Sequence, residues 1–297
     1  MSVLYPVKLN TFYSLVERLC VLAGVKNTNS WFSKKMYGNI RLAFLVCYKE
    51  KLNVSYRRFV EICRENNVQR MLCIKRIPHF TTLQKFVQRT PKALFERLVR
   101  ACAKLLGLKG VEACVDGTGF SNTNPPHYYS KIVDGKTAKN YTKTVFLTDN
   151  KTKLILNLRT NSDNRHENPD FIPLVKELFR VLKTVLADKA YDSMKNRRFC
   201  QDNSISVQIP FRKLSQSRHQ EFNPQSRRQR LEQQFDEAAY SRRSLIESVN
   251  SAIKRTLGAY VCSRRADNQQ KQVTIKAISY NIEHIGRTIK LRLFIYC

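Results

Sequence analysis

Near residue 108 the spacing of apolar residues changes period, and that change constrains the fold more than any composition figure. Before it, apolar residues recur at helical spacing. FYSLVERLCVLAG runs to Gly24, IRLAFLVCYKE ends ahead of a cap signal at Asn53–Ser55, and SYRRFVEICREN forms a basic amphipathic stretch. Pro78 then breaks the chain, and Thr81 or Thr82 is placed to cap a further helix. After residue 108 the texture is that of strands. VEACVDGTGF alternates and runs into glycines, and TKTVFLTDN and KLILNLRTN are joined by a turn at Asn150–Lys151. FIPLVKELFRVLK reads as an amphipathic helix, TVLADKAY as a buried strand stopped by Asp188, and MKNRRFCQDN as a helix capped by Asp192 or Ser193. SVQIP is a further short strand, residues 211–230 a basic loop or arm, and two helices follow, over roughly 237–256 and roughly 268–292. The pattern predicts an α/β fold, a mixed sheet flanked by helices over 108–297, preceded by a helical region over 1–107.

Charge narrows the partners. The 297 residues carry 53 Lys and Arg against 23 Asp and Glu, a formal net charge of +30. The excess is spread along the chain: residues 1–110 hold 21 basic against 5 acidic side chains, and the remainder 32 against 18. A chain with 42% hydrophobic residues folds around a core, so this charge belongs to a folded surface that meets a polyanion. Helix, loop and basic helix are compatible with a helix-turn-helix reader of DNA, the alternative being a plain helical bundle with a solvated basic face, and the expectation for 1–107 is a helical DNA-binding domain. No apolar stretch approaches a membrane span, and the N-terminus lacks the layout of a signal peptide. The expectation is therefore a cytoplasmic, nucleoid-associated protein without membrane contact. Nine cysteines without a C-x-x-C pair argue against a zinc site and a disulfide framework.

Two aspartates lie just past apolar strand cores, Asp116 after EACV and Asp188 after TVLA. A carboxylate at such a position needs a compensating cation, either a basic side chain or a metal. The helix AAYSRRSLIESVNSAIKR adds a polar stripe. With about 100° of rotation per residue, Tyr240, Arg243, Glu247 and Lys254 fall within an arc of roughly 60°, with Asn250 close by. Leu245, Ile246, Val249 and Ile253 take the opposite side. An i,i+4 ion pair explains Arg243 and Glu247 but not the whole stripe.

Taken together, VDGTGF, ADKAYDS and YSRRSLIESVNSAIK resemble the DDE transposases of bacterial and archaeal insertion sequences, in the families numbered four and five. The spacing Y-x₂-R-x₃-E-x₆-K is matched at every interval by Tyr240, Arg243, Glu247 and Lys254. RIPHFTTLQKFVQR and the tail through Tyr280–Asn281 share the family's look. The resemblance implies a ribonuclease-H-like core in which Asp116 and Asp188 come from adjacent strands and Glu247 from a helix. These three would be the catalytic carboxylates and would hold two Mg²⁺ ions, with Mn²⁺ able to substitute. Tyr240, Arg243 and Lys254 would contact DNA. It implies binding of double-stranded DNA, both element ends and target, with cleavage and strand transfer, and a homodimer in the synaptic complex. The same residues also suit a nuclease on this fold, or an inactive DNA-binding regulator or relic of such an element.

Only 58 residues separate Asp188 from Glu247, which excludes the long β-rich insertion of some relatives. Some relatives place a Trp in that interval; here the only Trp is Trp31, and Phe211, Phe222 and Phe235 are the nearby aromatic candidates. His166, in the polar loop DNRHENPDF, reads as a loop or cap residue. Glu167 and Asp170 read as residues favoured at a helix N-terminus. Arg264 and Arg265 are candidate DNA contacts.

Overall fold

A computed structural model describes residues 7–28, 36–122, 141–162, 166–211 and 235–295. Trp31, Phe222 and most of the basic segment 211–230 lie outside these residues.

The helical region opens with α1 (Leu9–Leu22), α2 (Asn39–Leu52) and α3 (Tyr56–Glu65). A single-turn α4 (Val68–Met71), α5 (Phe80–Arg89) and α6 (Lys92–Leu105) complete it. The cap expected near Asn53–Ser55 is present: Asn53 ends α2 in the left-handed region, and the Ser55 hydroxyl accepts from Arg58 N. The cap expected at Thr81 or Thr82 is not. α5 begins at Phe80 with His79 at the N-cap, and Thr81 Oγ1 instead lies 2.8 Å from His79 Nδ1. Residues 66–79, with α4 among them, separate α3 from α5. That is longer than the three- or four-residue turn of a helix-turn-helix.

The sheet is built from β1 (Val111–Ser121), β2 (Tyr141–Asp149), β3 (Ile155–Asn161), β4 (Leu182–Ala187) and β5 (Ser206–Gln208). Its order is β3-β2-β1-β4-β5. The first three strands form an antiparallel meander, whereas β4 runs parallel to β1 and β5 parallel to β4. The mixed sheet flanked by helices is therefore found as expected. Parallel neighbours require crossovers. A 3₁₀ turn (Asn168–Asp170) and α7 (Phe171–Lys176) lie between β3 and β4, and α8 (Met194–Asp202) lies between β4 and β5. α7 is shorter than its apolar pattern suggests, because the sheet claims the chain at once: Val181 O accepts from Val111 N, and β4 starts at Leu182. Ser193, one of the two expected caps, accepts from Lys195 N at the start of α8.

The C-terminal part comprises α9 (Glu237–Ser241), a 3₁₀ turn (Arg242–Ser244), α10 (Leu245–Leu257) and α11 (Ala266–Ile295). The single helix expected over 237–256 is thus interrupted. The tighter turn falls where two adjacent arginines serve different partners: Arg242 makes two bonds to Glu112 at the foot of β1, whereas Arg243 reaches Asp116. α11 is buried on nearly all sides between Gln269 and Ile282, as a helix inside a core must be. It packs on α1, α2, α6 and β3, so the helical region and the sheet share one continuous apolar core. Asn281 on α11 bonds both backbone groups of Ile155, accepting from its N at 3.0 Å and donating to its O at 2.7 Å, which closes part of the β3 edge. Lys276, fully buried, donates to the carbonyls of Leu257 and Gly258 at the end of α10 and pairs with Glu50 at 3.6 Å. All described cysteines are free, and most are buried. Among the described residues, no helix is long and apolar enough to cross a membrane.

Candidate active site

Strand register sets the position of the two aspartates. Val115 pairs with Ala187 at the end of the parallel β1–β4 ladder, so Asp116, still within β1, and Asp188, just past the end of β4, each follow that last pair. Strand side chains alternate, which puts Asp116 on the face of Cys114; Asp188 caps the 3₁₀ turn that follows β4, accepting from Lys189 N, and its charge reaches Arg243. The face of Cys114 is covered by α10: Cys114, Leu186 and Ile246 form a small apolar cluster of their own. Glu247 follows Ile246 directly, and Asn250 lies one turn on. Burial of Ile246, Val249 and Ile253 therefore aims the polar stripe of α10 at the strand-end aspartates.

Contacts confirm this placement. Asn250 Nδ2 donates to Asp116 Oδ2 at 3.0 Å. The Arg243 guanidinium lies 3.6 Å from Asp116 Oδ1 and 3.6 Å from Glu247 Oε1, with the Tyr240 ring centroid 5.8 Å away. Lys254 Nζ stands 5.7 Å from the ring centroid of Phe120, further along β1. Glu247 is open to solvent, whereas Asp116 and Arg243 are mostly buried.

The electrostatics follow from this arrangement. Burial pushes the Asp116 carboxyl up to about 6; Arg243 opposes the rise, while the charges of Glu167 and Glu247 add to it. Burial lowers Lys254, against the pull of Asp116. Burial also works against the charge on Arg243, but Tyr240, Asp116 and Asp188 outweigh it and raise its pKa. Tyr240, Arg243, Glu247 and Lys254 thus share one neighbourhood with both aspartates, despite the 3₁₀ interruption.

The family comparison covers this same stretch. The model of the transposase DDE domain matches residues 108–282, more than half of the chain and every residue just described. The chain belongs to the transposase DDE-domain family. No curated protein matches it. Among solved structures it is similar to a piggyBac transposase, determined by cryo-EM as a synaptic complex with hairpin DNA. That likeness has 10% identity and a TM-score of 0.47, and covers 94% of this chain and 72% of that one.

DDE domains are divalent-metal dependent in general. Among the described residues of this one, no three His, Cys, Asp or Glu side chains are gathered tightly enough to hold an ion as they stand. Arg243 stands between Asp116 and Glu247 and supplies the countercharge. The donor set nonetheless suits a hard cation, because Asp116, Asp188 and Glu247 are all oxygen donors. Asn250 supports this fit: it is 9% exposed, and its Oδ1 has no hydrogen-bond partner beside the carboxylate that its Nδ2 holds.

The DDE domain also has a residue at this site whose position sequence reasoning missed. Glu167 does stand at a helix N-terminus, ahead of the 3₁₀ turn that runs into α7 with Asp170 at its N-cap, but its carboxylate also lies against Gly117. A Cβ on Gly117 would sit 2.2 Å from Glu167 Oε1, so a larger residue there would displace the Glu167 carboxylate from this position. The available signal was the tyrosine three residues after Asp188, since Tyr191 is the side chain that holds Glu167. His166 is exposed and forms no part of this contact. Arg264 and Arg265 are exposed as well. Phe211 lies under the Arg197 guanidinium at 3.7 Å, and Phe235 lies 5.5 Å from the Tyr240 ring.

Proposed function

We propose that this protein is a transposase that binds the ends of an insertion sequence, cleaves DNA strands there and joins them to target DNA. The observation that supports the reading is Arg243, whose guanidinium lies 3.6 Å from both Asp116 and Glu247 and feels the charge of Asp188, so that all three acidic residues surround one cationic side chain. Asp116, Asp188 and Glu247 would hold two divalent cations, Mg²⁺ or Mn²⁺. Such ions lower the pKa of an attacking water or 3′-hydroxyl and stabilise the leaving oxygen at phosphorus.

The remaining work falls to the chain's own side chains. Asn250 fixes the orientation of the Asp116 carboxylate through one hydrogen bond. Arg243, with its planar donor fork, grips a phosphate oxygen of the strand entering the site, and Lys254 adds a compact charge further along the same face. Tyr240 donates to the backbone or stacks on a base. The net charge of +30 neutralises phosphates on either side of the cut. Two chains acting together on two ends would form the synaptic complex.

The deciding experiment offers the purified protein a pre-cut element end and a target duplex in Mg²⁺. Joined product is the expected result. Hydrolysis without joining makes the protein a nuclease on this fold, and binding without either reaction makes it an inactive regulator.

A further inference from the structure

The β1–β4 ladder stops at Val115 and Ala187, β1 is next bridged at Ser121, by Tyr260, and the chain after β4 turns at once into a 3₁₀ turn, Lys189–Tyr191. Tyr191 is buried there, and its hydroxyl donates to Glu167 Oε2 at 2.6 Å. Burial, followed by the nearby Glu167 charge, pushes the phenol up, so it remains a donor. Lys143 on β2 meets the other carboxylate oxygen, Oε1, at 3.1 Å. The segment is fixed on a second side as well. Asn168 Nδ2 donates to Ala190 O at 3.2 Å, and Asn196 Nδ2 donates to Asn168 Oδ1 at 3.3 Å and to Tyr191 O at 2.9 Å. A surface carboxylate capping a 3₁₀ turn needs none of this support. Glu167 is held by two side chains, Tyr191 and Lys143, with its carboxylate against Gly117, the residue after Asp116. Independently, the nine-tenths-buried Asn250, which holds Asp116 through Nδ2, keeps an Oδ1 without a hydrogen-bond partner beside that carboxylate.

We propose that Glu167 is a fourth carboxylate of the catalytic site, held by the Tyr191 hydroxyl, and that it binds a divalent cation together with Asp116. In this structure Lys143 balances the Glu167 charge, as Arg243 balances Asp116 and Glu247. Cation binding draws Glu167 from Lys143 while Tyr191 keeps its grip. The proposal rests on the transposase reading of Asp116 and deepens it, since it makes the D-x-x-Y tyrosine a positioning residue for a ligand from a different loop.

The test is Mn²⁺ binding to the full chain without DNA, followed by the electron paramagnetic resonance of free Mn²⁺, with unfolding measured in metal-free buffer. Glu167→Gln and Tyr191→Phe are each expected to weaken one Mn²⁺ site roughly tenfold, as losing a ligand or its supporting partner does. The metal-free unfolding midpoint of Glu167→Gln falls with the loss of the Lys143 ion pair, so binding is compared where both proteins are fully folded, and there the Mn²⁺ site is still weakened. Glu167→Asp, which keeps the charge but loses reach, weakens the same site and serves if the Gln variant does not fold. Asp116→Asn is the control. If it weakens Mn²⁺ binding and the Glu167 variants do not, the role of Glu167 is overturned alone. If Asp116→Asn leaves binding unchanged, the metal reading of the whole site falls, and this proposal with it.

Discussion

Asn250 on α10 donates its side-chain amide to Asp116 on β1 at 3.0 Å, linking two residues 134 positions apart. This bond ties the helix of the Tyr–Arg–Glu–Lys signature to the strand of the first aspartate. Asn250→Ala is expected to cost about 1.5–3 kcal/mol of stability, the range for a hydrogen bond to a charged group. Asn250→Asp sets two carboxylates against each other and costs more. Urea unfolding of the three proteins at neutral pH checks the order; equal midpoints would mean that the bond does not hold the helix.

Asp116→Asn, Asp188→Asn and Glu247→Gln are each expected to lower strand cleavage by at least about two orders of magnitude, since each deletes charge from the metal-holding set. Duplex binding persists, because removing a negative charge does not weaken attraction to phosphate. Cleavage and band-shift assays on the same preparations separate the two effects. Parent-level cleavage by any one variant removes that residue from the site.

Arg243→Ala and Lys254→Ala are expected to reduce cleavage and joining far more than overall affinity. Two contacts among many change binding little, yet misplacing the scissile phosphate by about 1 Å costs on the order of a hundredfold in rate. Arg243 also bridges Asp116 and Glu247, so a purely supporting role predicts something different: lower thermal stability with intact activity per folded molecule. Both quantities measured on one purified variant decide between these roles.

Lys276→Met breaks a buried pair and leaves Glu50 with Lys49 at 2.8 Å and Gln272 at 3.3 Å. It also removes the donor to the last carbonyls of α10. The expected loss is about 1–3 kcal/mol, the cost of leaving buried carbonyls without their donor, because Lys49 still compensates Glu50. Lys276→Met combined with Glu50→Leu should lose less than the sum of the single variants, by denaturant unfolding.

The helical region is expected to contribute phosphate contacts. Lys85 and Arg89 project from the exposed side of α5, opposite buried Leu83, Phe86 and Val87. Replacing both by Ala should leave the core intact and lower the slope of log affinity against log salt by about 2. The region shares its core with α11, so the experiment belongs in the full chain. An unchanged slope would place the contacts elsewhere.

Much of this protein is written in local pattern. The change of period near residue 108 marks where β1 begins at Val111, and alternation around EACV and TVLA marks the two strands that carry the aspartates. Helical spacing over 240–254 places Tyr240, Arg243, Glu247 and Lys254 on one side, because each depends only on residues a few positions away. Tertiary structure decided what depends on distant partners. The shortening of α7 follows from the sheet claiming Val181, and the 3₁₀ break at Arg242–Ser244 accompanies the pairing of Arg242 with Glu112. No periodicity announces that Glu167 lies on Gly117, since one comes from a loop and the other from a strand 50 positions earlier. The same holds for Lys276, a cation by composition that folding buries against Glu50 and the end of α10. Short-range spacing determined which face each functional side chain occupies. Only packing determined which faces meet, because the energy of those contacts exists only once distant segments share one core.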